Sequence, residues 1–295
     1  MKKAKTYALL AIIVGGTVGF TLAGKFFSDN YEIKIQRKAS AVAAAKSVIK
    51  FEKKLKLPSV WKSVNKSLFE EGVIDKTAFD NMYEQRGGMS QKMKDMLSPD
   101  SSGGVFITEE NSALALNLLW ALGLGNKNVI LDEGPMVSKE YGGDASGFAS
   151  TGGWSLAHGN PMDHYSKHAF ISLSSEQQEL VERVAKNIYR PCCNNSTYFP
   201  DCNHGMAMLG FLQLMAAEGA KEQELYDAAL TLNAFWFPDT YETINAYLAA
   251  KGISKKDVSS QMLLGKAFSS SSGYRTVLSQ VSQPSSNSRS GGCSV

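Results

Sequence analysis

Residues 108–125 read TEENSALALNLLWALGLG, and their reading decides the fold class. Thr108 is followed three residues later by Asn111, a polar side chain at the position where Glu or Gln completes a capping box, so a helix is predicted to start there. Its apolar run from Leu114 to Leu124 is almost unbroken. That run is too short to cross a bilayer and is closely bounded by charge, which points to a helix buried in a protein core.

Upstream, helices are predicted at 59–70 and 75–97, the second broken at Gly87-Gly88. Downstream they are predicted at 174–189, 202–218, 221–236, 239–251 and 255–267, with a shorter one at 273–282 and with Gly219, Pro238 and Gly252 as dividers. Only NVIL (128–131) and AFISL (169–173) have the composition of strands. The expected fold is therefore mainly α, a multi-helix globular domain. Between Pro135 and Ser172 the helical signal lapses into one long Gly/His-rich irregular loop with glycines at 142, 143, 147, 152, 153 and 159. Loops of this length are functional or disordered. Tyr141, Phe148, Trp154, Tyr165 and Phe170 argue for order.

The chain opens MKKAKTYALLAIIVGGTVGFTLAGKFF (1–27). The uncharged run Thr6–Gly24, set between Lys2, Lys3, Lys5 and Lys25, is long enough for an N-terminal transmembrane helix, with Thr21-Leu22-Ala23 as a competing cleavage site. The basic N-terminus favours a single-pass signal-anchor with the C-terminal body extracytoplasmic. Residues 31–57 read as one long helix: Ile35, Val42 and Ile49 recur at heptad spacing, and eight lysines and arginines against two glutamates fill the other faces. Those charges suit either a solvated face or anionic lipid headgroups beside the anchor. The expected organisation is an anchor at 1–28, a basic membrane-proximal helical segment at 29–100, a helical domain with a Cys/His site at 101–282, and a flexible Ser/Gly tail at 283–295.

A net charge of +3 names no partner. The basic helix lacks the aromatic interleaving of a nucleic-acid binder, and no phosphate-binding glycine loop supports nucleotide binding. GGWSLAHG (152–159) departs from the nucleophile-elbow pattern at Ala157. With no general base or substrate pocket identified, no catalytic residue is assigned.

The chemistry concentrates in RPCCNNSTYFPDCNHG (190–205), which holds three of the four cysteines and one of the four histidines. Asp201 is the expected N-cap of the run Met206, Leu209, Leu212, Met215, which places Cys202 and His204 in the first helical turn. The positive end of the helix there favours a thiolate. Cys192, Cys193, Cys202 and His204 together supply a tetrahedral Cys3His set suited to zinc or Cu(I). The spacing matches neither paired zinc ligands nor haem or iron–sulfur motifs, so it identifies no one metal. Met206, one turn beyond Cys202, adds weight to copper, against the usual packing role of helix methionines. His158, His164, His168 and Cys293 are candidates for further ligands.

The expected function is metal handling: a membrane-anchored extracytoplasmic protein that holds or passes a copper or zinc ion. Its expected partners are membrane lipid through the N-terminal helix and a membrane or metal-trafficking protein. Two other functions use the same residues. One is thiol–disulfide exchange with Cys293 as the mobile partner; the other is a structural disulfide from Cys202 to Cys192 or Cys193 in a membrane-tethered interaction protein. Asn194, Asn195 and Asn65 also stand in glycosylation sequons.

Overall fold

The computed structural model describes residues 47–98 and 104–281. The expected anchor at 1–28, most of the basic helix, and the tail with Cys293 lie outside them. No described helix is long and apolar enough to cross a membrane.

In chain order, β1 (Leu55–Lys56) leads to α1 (Trp61–Glu70), α2 (Lys76–Gln85) and α3 (Gln91–Leu97), then to β2 (Phe106–Ile107), which pairs antiparallel with β1. α4 (Ser112–Gly125) and the short α5 (Val129–Glu133) follow. A long segment with only short 3-10 turns then leads to α6 (Ser175–Ala185) and, through the cysteine loop, to α7 (Asn203–Ala217). The chain finishes with α8 (Glu222–Trp236), α9 (Pro238–Ala250), α10 (Ser260–Leu264), α11 (Lys266–Ser269) and α12 (Ser271–Gln280). The described protein is mainly helical, as the sequence predicts.

α4 and α7 form the centre. Twelve of the fourteen residues of α4 and thirteen of the fifteen of α7 are buried, as expected for helices that are apolar all round. Their backbones touch at two glycines: a methyl group on Gly123 would fall on the carbonyl of Met206, and one on Gly210 on that of Leu119. α1 and α8 also pack on α4, and α6 and α8 on α7. A single core runs from Ile49 to Val277, so residues on both sides of position 100 share it.

The capping box forms as predicted, with the Thr108 amide donating to Asn111 Oδ1 at 2.7 Å. The expected break at Gly87-Gly88 is also real, since both glycines adopt positive φ (94° and 86°).

Other expectations are corrected. Residues 47–57 are not helical. Asn245 clamps both backbone groups of Ile49, at 2.7 and 3.0 Å, and Leu55–Lys56 extends to pair with β2. Neither expected strand forms. Asn128 caps the backbone at Ile130 and turns 129–133 into α5, while 169–173 stays irregular after a single bridge from His168 to Asn126. The helix predicted at 255–267 divides at Gly265 into α10 and α11.

The Gly/His-rich segment is irregular as expected, and it is tied down by side chains. Trp120 and Trp154 pack together at 4.6 Å and donate to the carbonyls of Ser150 and Val73. Tyr165 donates to the carbonyl of Leu131. Gln213 on α7 accepts from both Asn126 (2.7 Å) and Asn128 (3.0 Å), and Asn126 in turn holds both backbone groups of Ile171. Side chains here supply the hydrogen bonds that regular structure would otherwise provide.

Candidate functional site

The loop between α6 and α7 is folded by local backbone bonds. Tyr189 and Ser196 form an antiparallel bridge, the amide of Thr197 donates to the carbonyl of Ile188, and that of Cys193 to the carbonyl of Arg190. The far end of the loop is joined to its surroundings through the Ser150 amide, which donates to the Asp201 carbonyl, and the Ser271 amide at the start of α12, which donates to that of Cys193. Cys202 itself is the N-cap residue of α7, with extended backbone, and its carbonyl accepts from the amide of Met206. The helix therefore starts one residue later than Asp201 as N-cap implies.

This folding brings the ligand atoms of Cys192, Cys193 and Cys202 within 4.8 Å of one another, with none of the three in a disulfide. Cys202 Sγ is 3.5 Å from that of Cys192 and 3.7 Å from that of Cys193. Cys202 is buried, whereas Cys192 and Cys193 are partly exposed. Three sulfurs so placed could hold a metal ion.

Arg190 completes the group, and the sequence reading missed it. Its side chain is fully buried. Nη2 donates to Cys193 Sγ and Cys202 Sγ, both at 3.2 Å, and reaches Asp201 Oδ1 at 3.4 Å. Nε and Nη1 find no hydrogen-bond partner among the described residues. The positive charge of the guanidinium is thus presented mainly to sulfur. Two sequence signals marked this arrangement: an arginine directly before Pro-Cys-Cys, and Gly205 in the first turn of α7, where the side chain of Arg190 passes.

The electrostatics are unequal across the three thiols. Cys202 is held well below the ordinary thiol range because Cys192 and Cys193 donate to it, with Arg190 adding to the effect against the cost of burial. For Cys193, the hydrogen bond with Cys192 pulls down, but donation to Cys202 and burial outweigh it, and the thiol is pushed up to about 11. Burial, followed by the negative charge of Cys202, raises Asp201 although Asn195 and Arg190 oppose the shift. Burial alone disfavours the charge on Arg190, yet the neighbouring cysteines raise its pKa on balance. These shifts favour the charged form at Cys202 and the neutral thiol at Cys193, with the guanidinium beside both.

The remaining candidates among the described residues lie apart from this group. The ring of His204 packs on Phe237 (4.5 Å) and Trp236 (5.5 Å) and does not join the three sulfurs. Met206 is fully buried in the core. His164 and His168 pair with each other, Nδ1 to Nε2 at 3.1 Å, and His164 Nε2 faces the carbonyl of His158 at 3.1 Å. A carbonyl only accepts, so His164 Nε2 donates to it. His168 Nδ1 faces Glu71, 3.7 Å away. The sequon asparagines are committed elsewhere: Asn194 accepts from the Ser272 amide, Asn195 donates to Asp201, and Asn65 is buried.

No family model matches the chain, and no curated protein or solved structure is significantly similar to it.

Proposed function

We propose that the protein binds one thiophilic metal ion, copper or zinc, through Cys192, Cys193 and Cys202, and that its role is to hold or pass that ion. The observation that carries this reading is the sulfur triangle set against a buried guanidinium. Zinc–sulfur bonds of about 2.3 Å in tetrahedral geometry place neighbouring sulfurs roughly 3.8 Å apart. The observed 3.5 and 3.7 Å require only small adjustments. Three thiolates around a divalent ion carry one net negative charge, which Arg190 offsets. With three protein ligands instead of the expected four, the ion keeps a position open to an incoming donor, and the partly exposed Cys192 and Cys193 give access to it.

The proposed setting is the outer side of a membrane, with residues 1–28 as the anchor and a membrane or trafficking protein as the source or recipient of the ion. The uncharged run Thr6–Gly24 supports the anchor.

The test is metal content and free-thiol count on the full-length chain, purified anaerobically without chelator. One equivalent of zinc or copper, lost in Cys202→Ser and retained in His204→Ala, is the expected result. A chain that takes up neither Zn(II) nor Cu(I) while its thiols remain free overturns the proposal.

A further inference from the structure

The same sulfurs are arranged for a second kind of chemistry, whose effect on a bound ion rests on the metal-binding reading above. Cys202 Sγ accepts a hydrogen bond from the guanidinium of Arg190 and lies within hydrogen-bond distance of both neighbouring sulfurs, so it is the centre of the group. The nearest sulfur to it is that of Cys192, at 3.5 Å. A cysteine with a second thiol in contact is the arrangement that converts an oxidised cysteine into a disulfide. We propose that Cys202 and Cys192 are a hydroperoxide-reactive pair, whose oxidation to a disulfide dismantles the metal site.

Three pairings compete, and the geometry ranks them. Cys192 and Cys193 are adjacent, with Cα atoms about 3.8 Å apart across a trans peptide, closer than the roughly 4.4–6.8 Å of ordinary disulfides. Cys193 is further from Cys202, at 3.7 Å, and its sulfur is engaged by Arg190, by Asp201 at 3.9 Å and by the carbonyl of Asn195 at 3.8 Å. Cys192 follows Pro191 in the turn-rich part of the loop and is partly exposed, while Cys202 is anchored at the start of α7. Closing the gap is therefore a movement of the Cys192 loop toward a fixed sulfur.

The reaction balances in two steps. The Cys202 thiolate attacks one oxygen of the peroxide, the S–O bond forms, the O–O bond breaks, and the leaving hydroxide takes a proton to become water. Cys192 sulfur then attacks the sulfur of this sulfenic acid. The S–S bond forms, the S–O bond breaks, and the proton of Cys192 leaves with the hydroxide as a second water. Two thiols are oxidised and one peroxide is reduced. Oxidation leaves Cys193 as the one remaining ligand of the three, so a bound ion is released.

The test uses the full-length chain with Cys293→Ser, reduced, stripped of metal and treated anaerobically with one equivalent of hydrogen peroxide. The expected result is a fall from three free thiols to one, a Cys192–Cys202 crosslink on peptide mapping, and full recovery with dithiothreitol. Cys192→Ser, checked for folding by circular dichroism, is expected to slow disulfide formation at least tenfold and to let dimedone trap the sulfenic acid on Cys202. Persistence of three thiols overturns the proposal, as does a crosslink through Cys193. A zinc-loaded sample separates this reading from the metal one. Release of one zinc per disulfide supports both, while a chain that forms the crosslink but never takes up an ion leaves only the peroxide chemistry standing. A chain that binds an ion yet resists peroxide when metal-free leaves only the metal site.

Discussion

The guanidinium of Arg190 lies directly against Gly205: a methyl group at position 205 would sit 2.5 Å from Nη2 and 2.8 Å from Cζ. The first turn of α7 therefore has to lack a side chain there for the arginine to reach the sulfurs of Cys193 and Cys202.

Gly205→Ala is expected to displace Arg190, to cost about 1–3 kcal/mol through overpacking, and to weaken zinc uptake. Urea unfolding and a zinc titration read the two effects. Gly147→Ala is the matched control, because open space surrounds that position. Its cost is expected to stay within about 0.5 kcal/mol.

Arg190→Met removes the charge beside Cys202. In the metal-free wild type, alkylation of Cys202 by iodoacetamide is expected to vary little between pH 7 and pH 9, because its thiol is held well below the ordinary range. In the variant the rate is expected to climb with pH, by up to roughly tenfold per unit below the thiol pKa. The linkage has a definite sign. A thiol depressed in the folded state contributes stability that is fully present above its unfolded value of about 8.5, and that is lost as pH falls through the folded value. Equal pH profiles in the two proteins would remove Arg190 from this role.

Gly210→Ala and Gly123→Ala each force α4 and α7 apart, because each added methyl meets the backbone of the other helix. Each is expected to cost about 1–3 kcal/mol or more. Both strain the same contact, so the double variant is expected to lose less than the sum of the two. Additive losses in thermal unfolding would show that the contacts yield independently.

Gln213→Ala removes the acceptor that Asn126 and Asn128 share, leaving Asn128 only Gln178 and Asn126 only the carbonyls of Ile171 and Lys127. The expected cost is about 1–3 kcal/mol. Since Asn126 also holds Ile171, faster hydrogen exchange at the Ile171 amide is expected to accompany the loss.

His168 is expected to titrate below the ordinary histidine value, because burial and then the neighbouring His164 disfavour its protonated form more than Glu71 favours it. A histidine lowered in this way contributes stability present above about 6.5, lost as pH falls through the folded value. Proton NMR of the imidazole signals checks the direction, and Glu71→Gln is expected to lower the value further.

Much of this protein was legible from residue order alone. The polar pair Thr108 and Asn111 ahead of an almost unbroken apolar run announces a capped, largely buried helix, because capping acts within one turn and burial follows composition. The crowding of Cys192, Cys193 and Cys202 into a proline-bracketed loop likewise announces their proximity, since a short loop leaves them little room to separate. Other features depended on contacts between residues distant in sequence. Asn245 holds Ile49 across 196 positions, in a segment of helical composition that forms no helix among the described residues. His204 sits two residues from Cys202, yet its ring packs on Trp236 and Phe237 at the end of α8, so three sulfurs assemble without it. Arg190 reads in sequence as one more basic residue. Its burial against Gly205 and two thiols is a tertiary outcome, because a charged side chain enters a protein interior only where the packed fold supplies opposite charge and hydrogen-bond acceptors.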